Sequence, residues 1–301
     1  MGLLVDQRIV AIIIAALIAP IFWWGLSNLD KTKRLWITLL ISFGTVLWFL
    51  ASVGSSWYFA QIVGLVLASA AVLVAIKKKN PWLASLLFGL ATLARLSLIP
   101  GFIFFPLFFA RQLKDHKTRY QTIVKLLMPF ALLVGVYLGY NYARFGTIAN
   151  VAYTDRVGLV NEPWFQNGLM HPAYIFRHLN VLFLQLPRII PKSPWLVPDF
   201  YGLSIWFTMP ALFLVFRAGF RKKTFPFWIA AVAVLLTNML HGGVGFSQFG
   251  YRYLVDSFPF LIPLLANAIE KRFDLITKAL IIISIAFNLW GVITINFLHA
   301  W

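Results

Sequence analysis

The sequence predicts an all-α membrane protein, a polytopic helical bundle of about ten segments with one long outer loop that carries an interfacial helix. Three observations lead there. The 301 residues are 61% hydrophobic and 12% charged, too apolar for a soluble domain. The apolar residues fall in runs of membrane-spanning length. Short basic clusters alternate with uncharged turns between those runs, as the positive-inside rule requires of a multi-pass chain. The formal charge of +17 therefore serves orientation, and nucleic acid is excluded as a partner. Without cysteine, the chain has no disulfides and no thiolate metal sites.

The first run, Ile9 to Leu26, is flanked by Asp6 and Arg8 and lacks a cleavage site, so it reads as a span rather than a signal peptide. Leu35 to Val53 and Phe59 to Ile76 follow, separated by the uncharged turn Gly54-Ser55-Ser56-Trp57. Lys31, Lys33 and Arg34 on one side, and Lys77 to Lys79 on the other, face the cytoplasm, which leaves the N-terminus outside. Trp82 to Ala94 and Leu96 to Ala110 are each about 20 Å long as helix, short of a full crossing. They are expected to form a bent pair with Arg95 at its outer tip.

A cytoplasmic cluster (Arg111, Lys114, Lys117, Arg119) leads into a span from Ile123 to Tyr140. From residue 147 to 199 no run is long enough to cross, and this stretch reads as an extracytoplasmic loop. Within it, His171 to Pro187 places Ile175, Leu179, Leu182 and Leu186 on one helical stripe. That pattern fits an amphipathic helix in the headgroup region or a short helix buried against the protein. Spans resume at Phe200 to Phe216, Phe225 to Leu240, Phe258 to Ile269 and Leu275 to Phe297. No internal repeat or linker divides the chain, so residues 1–301 form a single membrane domain.

The stretch from His241 to Phe260 brings Gln248, Tyr251, Arg252 and Asp256 into this apolar setting through a Gly-rich turn. Polar groups beside hydrocarbon are costly and call for a reason. Arginine at outer helix ends is the recurring feature: Arg95, Arg144 and Arg252. Guanidinium forks suit phosphate oxygens, and each can alternatively snorkel to the interface. Asp256, four residues after Arg252, is expected to pair with it across a helical turn. Asp155 is the acid best placed to act as a base. His171, His178 and His241 read as interfacial hydrogen-bonders. No known hydrolase, zinc or P-loop motif and no metal-spaced cluster occurs, so no cofactor is evident, with a divalent metal left open.

Four segments resemble the GT-C superfamily of polytopic glycosyltransferases. They are Asn80 to Arg95 (NPWLASLLFGLATLAR), Asn141 to Gly146 (NYARFG), Gly202 to Pro210 (GLSIWFTMP) and Gln248 to Pro259 (QFGYRYLVDSFP). The resemblance covers roughly Trp57 to Pro259, and the order of the segments carries it more than any one of them. It implies transfer of a sugar from a polyprenyl-phosphate donor to an acceptor outside a bacterial or archaeal plasma membrane, with membrane lipids around the protein. It also implies donor binding by Arg95, with Arg252, Gln248, Tyr251 and Arg144 as further substrate-binding candidates. The family's catalytic aspartate lies in the first outer loop, often in an acidic pair, and this chain has no such pair. The catalytic residue is accordingly unassigned, with Asp155 a weak candidate, and the chain is expected to be an N-terminally incomplete enzyme with little activity alone. A transporter or flippase of lipid-linked glycans, or a non-catalytic membrane scaffold, are the other classes the sequence allows. Sugar and acceptor are unspecified.

Overall fold

The computed structural model describes residues 6–113, 115–149, 151, 158 and 161–299. Asp155, Arg156 and Lys114 lie outside them. The fold is helical throughout, apart from a two-residue antiparallel pairing of Arg188–Ile189 with Leu196–Val197. Among the described residues, five helical stretches are long and apolar enough to cross a membrane, six if a pair bent by 44° counts as one span. They fit a multi-pass membrane protein.

Helices α1 (Gln7–Ala16) and α2 (Ile18–Gly25) make the first crossing stretch, opened by Asp6, whose carboxylate caps the Arg8 amide at 2.9 Å. Helix α3 (Lys31–Phe43) and α4 (Leu47–Val53) are the bent pair, broken at Gly44–Val46. Helix α5 (Ser56–Lys78) is the unbroken apolar run that the composition foretells. Helix α6 (Pro81–Ala94) starts on an Asn80 cap with Pro81 in its first turn, where no amide is missed. It ends when Arg95 turns extended (φ −145°, ψ 97°), and the chain returns as a 3-10 stretch, Leu96–Ile103, and α7 (Phe104–Ala110). Gly101 is needed in that return: a Cβ there would lie 2.9 Å from the Phe260 ring.

Helix α8 (His116–Phe145) is peripheral, with 17% of its apolar window buried. The loop carries α9 (Ile175–Phe183), and after it come α10 (Ile205–Thr208), α11 (Phe225–Met239), α12 (Phe258–Lys271) and α13 (Leu275–Asn296). A 3-10 segment, Arg252–Ser257, runs directly into α12, and the joined stretch Arg252–Lys271 is 83% buried, the central element of the bundle.

Several expectations are corrected. Phe200 to Phe216 is not one helix, because Pro210 cannot continue α10 and Pro210–Ala218 is wound as a 3-10 segment. Arg252 and Asp256 do not sit in a turn but within the buried stretch. They do not pair with each other. At three residues per turn, an i+4 neighbour is rotated off the shared face that an α-helix would give it. The loop helix is shorter than expected and docks on the protein. Leu182 joins the core and Ile175 and Leu179 pack against it, while Leu186, beyond the helix end, is exposed.

The two ends of the bundle differ. At one end the basic loops meet: Lys33 donates to the Glu270 carbonyl (3.2 Å), Arg217 pairs with Asp274 (3.6 Å), Lys271 donates to the Ala218 carbonyl (3.0 Å), and Arg111 reaches the Lys222 carbonyl. At the other, the Tyr58 hydroxyl meets the Ser247 carbonyl, and the Gly242 amide donates to Leu169 O at 3.0 Å. The polar residues of interest gather at this second end.

Candidate functional site

Two arginines from different elements meet there, Arg95 half-buried and Arg252 buried. Arg95 is delivered by the end of α6, and its Nη2 lies 2.8 Å from Asp256 Oδ2. The same carboxylate oxygen accepts from Ser97 Oγ (2.8 Å) and Asn238 Nδ2 (3.1 Å), while Asn238 Oδ1 takes a second Arg95 bond at 3.3 Å. Asp256 is fully buried, and its Oδ1 has no hydrogen-bond partner among the described residues.

Arg252 begins the buried 3-10 segment and is 8% exposed. Its Nη1 donates to Gln61 Oε1 (3.1 Å) on α5, and Gln61 Nε2 donates back to the Arg252 carbonyl (3.3 Å). Its guanidinium carbon stands 4.7 Å from the Tyr253 ring centroid and 5.3 Å from that of Tyr58. Among the described residues no carboxylate pairs with it, and its Nε has no hydrogen-bond partner. Arg95 shares the Tyr253 ring, 5.7 Å from the centroid. Both guanidinium groups thus lie near the Tyr253 ring, and Asp256 pairs with Arg95 alone among the described ion pairs.

The Gly-rich turn closes over this pair. Gly245 takes φ +89°, and a Cβ there would come within 3.0 Å of Arg252 Nε, so the backbone can approach the guanidinium only at glycine. Gln248 is fully buried and committed: its amide donates to the carbonyls of Tyr201 (2.7 Å), Val244 (3.0 Å) and Gly245 (3.1 Å), and its Oε1 accepts the Arg252 amide (3.3 Å). It shapes the turn.

Tyr251 is also committed, to His178 of α9, with its hydroxyl 2.7 Å from Nδ1. His178 Nε2 lies 2.8 Å from the His241 carbonyl, which can only accept. Nε2 therefore carries the proton, and Nδ1 accepts from Tyr251. Burial depresses the His178 pKa to about 4, against a weaker upward pull from the His241 carbonyl. His241 shifts down too, through burial first and the nearby Arg95 and Arg252 charges as well.

A stability prediction follows from His178. The unfolded imidazole takes up a proton near pH 6.5 while the folded one resists to about 4, so stability is full above 6.5 and is lost as pH falls through that window. A shift of this size corresponds to roughly 3 kcal/mol at the low end. Unfolding midpoints measured from pH 7.5 to 4.5 should fall steeply for the native chain and less for His178→Gln.

Arg144 is placed elsewhere. It is exposed at the end of α8, bonded to the Tyr140 hydroxyl at 2.7 Å and stacked near Phe145, and none of its contacts among the described residues reaches Arg95 or Arg252. Sequence reasoning does not single out Gln61, Asn238, Tyr58 or Ser97, whereas His178, expected as a hydrogen-bonder, is one. Gln61 left a readable signal, a single amide inside the apolar run of α5.

Two cavities adjoin α9. One is a cleft of about 370 Å³ walled by Trp164, Asn180, Gln185, Tyr201, Val244 and Phe246. The other, about 160 Å³, is lined by apolar side chains of α9, α10, the 3-10 stretch after it and α11. Among the described residues no group of three or more histidine or acidic side chains is disposed to hold a metal. Compared with protein-family models, curated proteins and solved structures, the chain matches none.

Proposed function

We propose that this chain is a glycosyltransferase of GT-C type that binds a polyprenyl-phosphate-linked sugar at the end of the bundle away from the basic loops, which is then the outer face of a bacterial or archaeal plasma membrane. In this reading the apolar stretches, including the shorter ones, make ten segments. The observation that carries the proposal is Arg252: a guanidinium 8% exposed, with no carboxylate partner among the described residues, at the entrance to the central stretch. A buried cation without a counter-charge costs several kcal/mol. A phosphate headgroup, held at the membrane boundary by its own lipid tail, supplies that charge.

The chemistry such a site supports is leaving-group stabilisation. As the bond from the anomeric carbon to the phosphate oxygen breaks, the phosphate gains charge, and a preorganised guanidinium is worth more against that charge than against the intact donor. The acceptor hydroxyl attacks the anomeric carbon from the opposite side, with inversion, and its proton passes to a base. Asp256 does not suit that role, being fully buried with Oδ2 held by Arg95, Ser97 and Asn238. Asp155 lies outside the described residues.

The test uses membranes from cells carrying the gene and from cells lacking it, given a polyprenyl-phosphate hexose labelled in the sugar. Gene-dependent movement of label into a product resistant to the mild acid that cleaves sugar phosphates is expected. Label that crosses the bilayer still attached to its lipid is the result of a transporter and contradicts the proposal.

A further inference from the structure

The cleft beside α9 has a composition that the phosphate reading does not use. Trp164 and Phe246 stand with ring centroids 4.6 Å apart, and Tyr201 meets Phe246 at 5.7 Å, so aromatic surface forms one wall. The cleft is also lined by Asn180 on α9 and by Gln185, just past its end, whose side-chain amides make no hydrogen bond to any described residue. Arg177 is already engaged, its Nη1 donating to the Gly242 carbonyl at 2.9 Å. Among the described residues no carboxylate lines the cleft.

Aromatic faces together with amides that both donate and accept match the two surfaces of a pyranose ring. Its axial C–H face packs on an aromatic ring, and its edge carries adjacent hydroxyls that each give and take a hydrogen bond. A cavity of about 370 Å³ lies within the ordinary range for small-ligand sites. The cleft is also next to the arginine pair: Val244 lines it, and the following residue, Gly245, is the one that overlies Arg252 Nε. We infer that this cleft is a saccharide subsite that takes a neutral pyranose, with Trp164 and Phe246 against its ring face and the Asn180 and Gln185 amides at its hydroxyls. This deepens the glycosyl-transfer reading and rests on it for the source of the sugar, which is either the donor's hexose or a hexose of the acceptor.

The purified full chain in nanodiscs is titrated with polyprenyl monophosphate, with polyprenyl-phosphate hexose, and with the methyl glycosides of glucose, mannose and galactose. Asn180→Ala, whose site is exposed, Gln185→Ala and Trp164→Ala are compared with the native chain. The expected result is a loss of about five- to tenfold in saccharide affinity per amide removed, with polyprenyl monophosphate bound as before. Loss confined to the polyprenyl-phosphate hexose marks a donor subsite, and loss for the methyl glycosides marks an acceptor subsite. If polyprenyl monophosphate does not bind but a methyl glycoside binds in a way that needs Trp164 and Asn180, the phosphate reading fails and the cleft assignment stands. Native affinity for every saccharide in all three variants overturns the cleft assignment.

Discussion

Replacing Arg95 with alanine is expected to destabilise the protein by about 3–5 kcal/mol, the range for removing one partner of a buried ion pair. The reason lies in what remains. Asp256 is fully buried, its Oδ2 left with only Ser97 and Asn238, and its Oδ1 already lacks a partner among the described residues. Removing the carboxylate as well should recover most of the loss, because Asp256→Leu in the Arg95→Leu background puts apolar volume where two charges stood. Arg144→Ala is the reference: its side chain is exposed, and a change within about 0.5 kcal/mol is expected. Unfolding midpoints in mixed detergent micelles titrated with sodium dodecyl sulfate would order the variants. Arg95→Ala no worse than Arg144→Ala would contradict the ion pair as a structural element.

Both arginines of the site stand out in the sequence as charges at outer helix ends, Arg95 between apolar residues and Arg252 between Tyr251 and Tyr253 after the Gly-rich turn. Their partners do not. Asp256 was expected on Arg252 because α-helical spacing puts residues four apart on one face. The chain winds Arg252–Ser257 as a 3-10 segment, and Asp256 turns instead toward Arg95, 161 residues away in sequence. Long-range pairing of this kind depends on how α11 packs against the Leu96–Ile103 and Arg252–Ser257 stretches, which no local pattern records. Gln61 and Asn238 could have been suspected on the principle applied to the loop, since each is an amide in an apolar run. They were overlooked because the Gly-rich stretch drew the polar signal to itself.

Helix existence was legible from hydrophobic runs: α5 and α13 match the expected spans closely, and α8 contains the expected Ile123 to Tyr140 but extends beyond it at both ends. Where helices break was less so. Pro210 forces a change of winding that composition alone does not distinguish from a continuous crossing. Three residues of the expected stripe, Ile175, Leu179 and Leu182, share the packed face of α9 while Leu186 falls beyond it; periodicity does not say whether lipid or protein covers such a face, and the protein does.

Arg252→Gln isolates the central claim, since the site's energy and its function make opposite demands on that residue. Glutamine keeps a donor for Gln61 Oε1, which Arg252 Nη1 now serves at 3.1 Å, and removes a buried charge that lacks a described carboxylate partner. Stability should hold or rise. Phosphate binding should fall, because hydrogen bonds to charged groups contribute about 1.5–3 kcal/mol each, or roughly 10- to 100-fold in affinity. The decisive measurement is the affinity of the native chain and of Arg252→Gln for polyprenyl monophosphate in nanodiscs, beside the uncharged polyprenol, with unfolding midpoints taken on the same samples. The native chain should prefer the phosphate at least tenfold, and the variant should lose that preference while unfolding no earlier. Equal preference for the phosphate in both proteins would contradict the assignment of Arg252 as the phosphate-binding cation.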